Sequence, residues 1–135
     1  MFVALLLTLA APALAQESNA TTCVRTKVDN DYKQGWALRT ITPETIGLGQ
    51  YTVTPVAMLS GLTYRFRACA PTATDIDIIL YDSDGVEVTR DRDDNGRPQL
   101  DYGARKSGTW YVVVHAAAAR PGYPDLELAW SISYR

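Results

Sequence analysis

The chain is poor in the side chains that most enzymatic chemistry needs. Its 135 residues include one histidine, two cysteines and two methionines. One histidine and two cysteines cannot build an ordinary closed zinc site. A Ser-His-Asp triad would have to use His115, and the chain has no Gly-x-Ser-x-Gly elbow to go with it. His115 ends a strand-like apolar run, so a packing role is expected. No block of like charge is long enough for a nucleic-acid or membrane-binding tail, and the net charge is only −2. Beyond the N-terminal run, no apolar segment reaches the roughly 20 residues a membrane span requires. There is no internal repeat, linker or low-complexity stretch.

The N-terminal run itself, residues 2–10, is apolar and uncharged, and Ala13-Leu14-Ala15 follows as a small-x-small cleavage site. This predicts a signal peptide over 1–15 and a mature chain from Gln16, although no Lys or Arg precedes the apolar run. The remainder, 16–135, is expected to be one exported domain, periplasmic or extracellular and large enough to bury its own core.

In an exported chain two cysteines read as a disulfide. Val24, Thr26 and Val28 alternate with Cys23, Arg25 and Lys27. Leu62, Tyr64, Phe66 and Ala68 alternate with Thr63, Arg65, Arg67 and Cys69. Read as two strands, both segments put their cysteine on the polar face, and a Cys23–Cys69 bridge between them is expected.

Period-two patterning dominates the rest. Tyr51, Val53 and Pro55 alternate with Thr52, Thr54 and Val56; Ile76, Ile78 and Leu80 alternate with Asp75, Asp77, Ile79 and Tyr81; Leu126 through Tyr134 alternates cleanly. Residues 109–115 are apolar on both faces and predict a central strand. Ser60-Gly61, Ser83-Asp84-Gly85, Asn95-Gly96, Ser107-Gly108 and Pro121-Gly122 mark turns at sandwich-like spacing. Residues 29–46 lack strict alternation and predict one helical turn near Thr42-Pro43-Glu44 or an irregular crossing. Residues 116–119 read as a short exposed connection. Asp125, Glu127 and Arg135 mark the last strand as a protected edge.

Asp75-Ile76-Asp77 leads into Leu80-Tyr81-Asp82, followed by Asp84-Gly85, the acidic loop ending at Pro98, and Ser107-Gly108-Thr109-Trp110-Tyr111-Val112-Val113-Val114. Together these four elements resemble the bacterial pre-peptidase C-terminal domain, a small β-sandwich appended to secreted peptidases and other exported proteins. Gly61-Leu62-Thr63-Tyr64 and Gly122-Tyr123 before Leu126-Glu127-Leu128 extend the resemblance over about residues 47–135. It implies an accessory module, and some members of that family bind calcium through such acidic loops.

Asp91-Arg92-Asp93-Asp94-Asn95-Gly96 places oxygen donors at alternate positions before a glycine, the first half of a calcium loop. Tyr102 stands where an EF-hand has its bidentate Glu, so this is not an EF-hand. Asp75, Asp77, Asp91, Asp93 and Asn95 are the candidate Ca2+ ligands. Turn formation by the aspartates, with Arg90, Arg92 and Arg97 beside them, is the stronger expectation. Arg25, Lys27, Arg65 and Arg67 form a candidate basic face for an anionic glycan or acidic partner, with a solvated face again the plainer reading. Trp110 and Trp130 lie on apolar strand sides, leaving Trp36 and Tyr123 as candidates for an exposed platform.

These observations predict an all-β chain: an antiparallel β-sandwich of about eight strands, with jelly-roll-like or Greek-key connections. The expected function is a non-catalytic, exported interaction module that binds a protein or envelope glycan and no nucleic acid, with calcium as its only candidate cofactor. A small secreted hydrolase with an Asp/Glu pair and a purely structural envelope protein are the alternatives.

Overall fold

The computed structural model describes residues 17–135. The expected signal peptide and its cleavage site lie outside them. A helix, α1 (Asn19–Lys33), precedes eight strands: β1 (Ala37–Gly47), β2 (Tyr51–Met58), β3 (Thr63–Cys69), β4 (Ala73–Tyr81), β5 (Glu87–Arg90), β6 (Gln99–Gly103), β7 (Gly108–Ala119) and β8 (Asp125–Tyr134). They form two four-stranded sheets, ordered β1-β8-β3-β6 and β2-β7-β4-β5, with antiparallel pairing throughout. First pairs with last, second with seventh, third with sixth and fourth with fifth. This nesting is a jelly roll, so the expected sandwich, strand number and connectivity are all present.

The core lies between the sheets. Phe66 and Tyr64 of β3, Ile76, Ile78 and Leu80 of β4, Val112 and Val114 of β7, and Leu126, Leu128, Trp130 and Ile132 of β8 interdigitate there. Trp110 and Trp130 are core residues, as their strand faces predict. β7 occupies an inner position of its sheet, also as predicted.

Four expectations need correction. Residues 22–28 are helical. Ala20, Val24, Val28 and Asp31 are buried on one side of α1, at the spacing of a helical face, and Ser18 caps the N-terminus by accepting from the Thr21 N–H at 3.2 Å. Val24 and Val28 satisfy period two and the i,i+4 spacing equally, which is how the segment passes for a strand. Thr42-Pro43-Glu44 lies within β1, not in a helical turn. Residues 116–119 extend β7, and Ala116 is fully buried. β8 is an inner strand between β1 and β3, so its charged residues protect no edge.

The disulfide is present, but it joins α1 to β3 rather than strand to strand, with a Cα–Cα separation of 6.1 Å. It clamps α1 onto the outer face of the first sheet, where Ala20, Val24 and Val28 pack with Cys69 and Ala129. Farther along the helix, the buried Asp31 carboxylate receives Arg67 Nε at 2.6 Å and Arg65 Nη1 at 2.8 Å.

The two neighbouring edge strands, β1 and β2, each carry a feature that disfavours strand addition. The Leu48 N–H donates to Pro124 O at 2.9 Å, which sets the phase of the β1–β8 ladder and turns the nitrogen of Pro43 to the free edge. The Ala116 N–H donates to Gln50 O at 3.1 Å, which does the same for Pro55 in β2. A proline nitrogen offers no donor to an incoming strand. Arg39 further occupies the outward carbonyl of Ala57 at 2.5 Å.

Candidate functional site

Among the described residues α1 covers the outer face of the first sheet, and no element covers the outer face of the second. On that second face β2 breaks the usual rule. Val56 and Met58 are buried, which fixes the register, and the alternation then places Thr52 and Thr54 inward and Tyr51, Val53 and Pro55 outward. Tyr51 is 60% exposed and Val53 62% exposed. Over residues 51–55 the apolar side chains thus face water while the hydroxyls face the interior, where Thr52 Oγ1 has no partner.

The inverted strand continues into a polar row. Tyr51, His115 and Asp77 are direct cross-strand neighbours on β2, β7 and β4. The Tyr51 and His115 rings stack with centroids 4.2 Å apart and planes 9° from parallel. His115 Nδ1 lies 3.3 Å from Asp77 Oδ2. His115 sits within β7 rather than at its end.

Next to it lies the acidic loop. The Asp91 N–H donates to Ile78 O at 2.9 Å and the Ile76 N–H to Asn95 O at 2.8 Å, so the loop runs along the flank of β4. Gly96 is required there. A Cβ on it would sit 2.7 Å from the backbone oxygen of Ala73 and 3.1 Å from that of Ala70. Asn95 Oδ1 accepts from the Arg97 N–H at 2.8 Å, and Asp82 Oδ1 accepts from the Asp84 and Val86 N–H groups at 2.9 and 3.0 Å. Both are turn-forming roles of the expected kind.

Two of the candidate ligands do more than form turns. Asp91 is only 8% exposed, and its Oδ2 has no hydrogen-bond partner. Asp75 Oδ1 is likewise buried and unpartnered. Burial pushes the Asp91 carboxyl above the usual range, and the charges of Asp93, Asp77 and Asp75 add to this against a backbone hydrogen bond from Asp93. Asp75 is raised by burial, then by the charges of Asp77 and Asp94. Asp93 is exposed on the outside of the loop. No three Asp, Glu, His or Cys side chains among the described residues converge on a single ready-made metal position.

The four basic candidates do not form a free stripe. Arg25 and Lys27 are on α1, and Arg25 Nε donates to Glu17 at 2.9 Å. Arg65 makes a two-pronged pair with Asp101 at 2.9 and 2.8 Å, and Arg65 and Arg67 both donate to Asp31. The guanidiniums of Arg65 and Arg135 also lie 4.1 and 4.5 Å from the ring centre of Trp36. Trp36 is buried, not a platform, while Tyr123 is exposed on the β7–β8 loop. Of the four, Arg65 and Arg67 hold α1 to its sheet through Asp31.

A groove of about 580 Å³ opens between β1 and β2, lined mainly by Leu38, Leu59, Leu62, Tyr64 and Tyr134, with Arg39 at its side and no carboxylate. A smaller cleft of about 220 Å³ contains Asp82 and Asp84, and Asp82 there is the turn former described above.

No family model matches the chain, and no curated protein matches it. Among solved structures it is similar to the Aeromonas hydrophila protein PliG, a periplasmic lysozyme inhibitor of g-type lysozyme. The two share 12% sequence identity and superpose with a TM-score of 0.53 over 71% of this chain and 85% of that one, a likeness of fold.

Proposed function

We propose that this chain is an exported, non-catalytic module that binds a partner protein through the outer face of its second sheet. The inverted pattern of β2 carries the reading. Exposing Tyr51 and Val53 while turning Thr52 and Thr54 inward works against folding, and local rules are most often broken this way where a surface serves function. The prolines at the free edges disfavour recognition by strand addition and favour recognition through side chains. A tyrosine stacked on a histidine is a rigid, amphipathic anchor of the kind found at binding hot spots.

The shared fold with a periplasmic lysozyme inhibitor supports a protein partner over a glycan, and a wall-degrading enzyme over other proteins. The resemblance of residues 47–135 to an accessory domain of secreted enzymes agrees with a non-catalytic role. Lysis of bacterial cell walls by a g-type lysozyme, measured with increasing mature chain from Gln16, tests the assignment. Stoichiometric loss of lysis is expected. Full lysis at a large excess of the chain would refute lysozyme as the partner.

A further inference from the structure

We propose that the groove between β1 and β2 binds a slender anionic amphiphile, an alkyl carboxylate of the fatty-acid type, independently of the partner-binding face. Two observations meet there. The first is apolar surface left open to water. Leu38 is 41% exposed and Leu59 59% exposed, and both line this one groove with Leu62 and the neighbouring rings of Tyr64 and Tyr134. Its volume, about 580 Å³, falls in the roughly 300–1,000 Å³ range of small-molecule sites.

The second is that the polar groups still open there are donors. The exposed Arg39 guanidinium has five N–H groups, and one of them is used on Ala57 O at 2.5 Å. Among the described residues no carboxylate pairs with it. Tyr64 is buried, and its hydroxyl accepts from the Leu59 N–H at 2.8 Å. The proton of that hydroxyl has no acceptor among the described residues. A buried donor left over at the wall of a groove points to an acceptor that a ligand would bring. The Ala57 carbonyl is already taken by Arg39, so the groove has little to offer a donating head group. Positive charge, spare donors and apolar walls without a carboxylate fit a head that accepts and is negative, carried on an apolar tail. Pro43 and Pro55 on the two flanking strands disfavour a peptide backbone in its place.

The test is equilibrium dialysis of the mature chain against sodium octanoate, decanoate and dodecanoate, each below its micelle-forming concentration. Dodecyltrimethylammonium serves as the probe of opposite charge. Wild type is compared with Arg39→Gln and Leu59→Ser, both at exposed positions, so each should fold. We expect one saturable site whose affinity rises with chain length, by up to about fourfold per buried methylene. Arg39→Gln should weaken dodecanoate at least about tenfold, the scale of a charged hydrogen bond. Leu59→Ser should weaken it as well, and the cationic amphiphile should bind at least about tenfold less tightly than dodecanoate. Absence of saturable dodecanoate binding to the wild type would overturn the proposal. Equal affinity in all three chains, or for both head-group charges, would overturn it too.

Discussion

Asp31 of α1 and Arg67 of β3 form a two-pronged ion pair, with Arg67 Nε on Oδ2 at 2.6 Å and Nη2 on Oδ1 at 2.8 Å. The Asp31 side chain is 2% exposed and that of Arg67 14%. Removing one partner of such a pair leaves the other charge buried. Asp31→Ala is therefore expected to cost about 3–5 kcal/mol in denaturant unfolding. A cost below about 1 kcal/mol would mean that the pair behaves as a surface contact.

The same carboxylate sets an acid limit. Burial pushes the Asp31 pKa up, but the hydrogen bonds and charges of Arg67 and then Arg65 outweigh it and hold it below the usual value. A lowered folded-state pKa gives stability that is fully present above the unfolded value, about 3.9, and is lost as pH falls through the folded value. The wild type should lose stability steeply below about pH 4, whereas Asp31→Asn should lose less over that interval. Parallel acid profiles for the two would contradict the assignment.

The Cys23–Cys69 bridge spans 46 residues. In the chain-entropy account, Cys23→Ser with Cys69→Ser should cost about 4 kcal/mol, read from the shift in urea midpoint. Because the bridge pins α1, far-ultraviolet circular dichroism of the double variant should show helix loss before sheet loss on heating.

Gly96→Ala should be destabilising by about 1–3 kcal/mol, because the new methyl meets the backbone oxygen of Ala73 rather than a movable side chain. Gly85→Ala, at a positive φ but in open space, should cost only about 1 kcal/mol. Gly96, unlike Gly85, has no positive φ, so a cost at Gly96 no larger than at Gly85 would mean that the backbone yields to the added methyl.

How much of this the sequence discloses depends on how far one residue pattern fits one structure. The strands β3, β4, β7 and β8 are legible because their core faces are long runs of Leu, Ile, Val, Phe and Trp at period two. β1 is obscured by Pro43 and Glu44, whose places are set by an edge position and by the Trp130 indole that donates to Glu44 at 3.1 Å. α1 is obscured because it is rich in Thr and Val, so propensity points to strand while tertiary packing makes helix. The acidic loop is readable as a motif, but the burial of Asp91 depends on β4 beside it. The exposed Tyr51–Val53 surface is visible only as alternation; which side faces water is decided by Val56 and Met58 further along the strand.

The proposed binding face is tested most directly by calorimetric titration of g-type lysozyme with wild type, Tyr51→Ala and Val53→Asp. All three are expected to fold alike, since both positions are exposed. The account predicts that each substitution weakens binding at least about tenfold, as expected for a central anchor. Equal affinity for all three chains would show that the partner is held elsewhere and contradict the assignment of the second sheet's outer face.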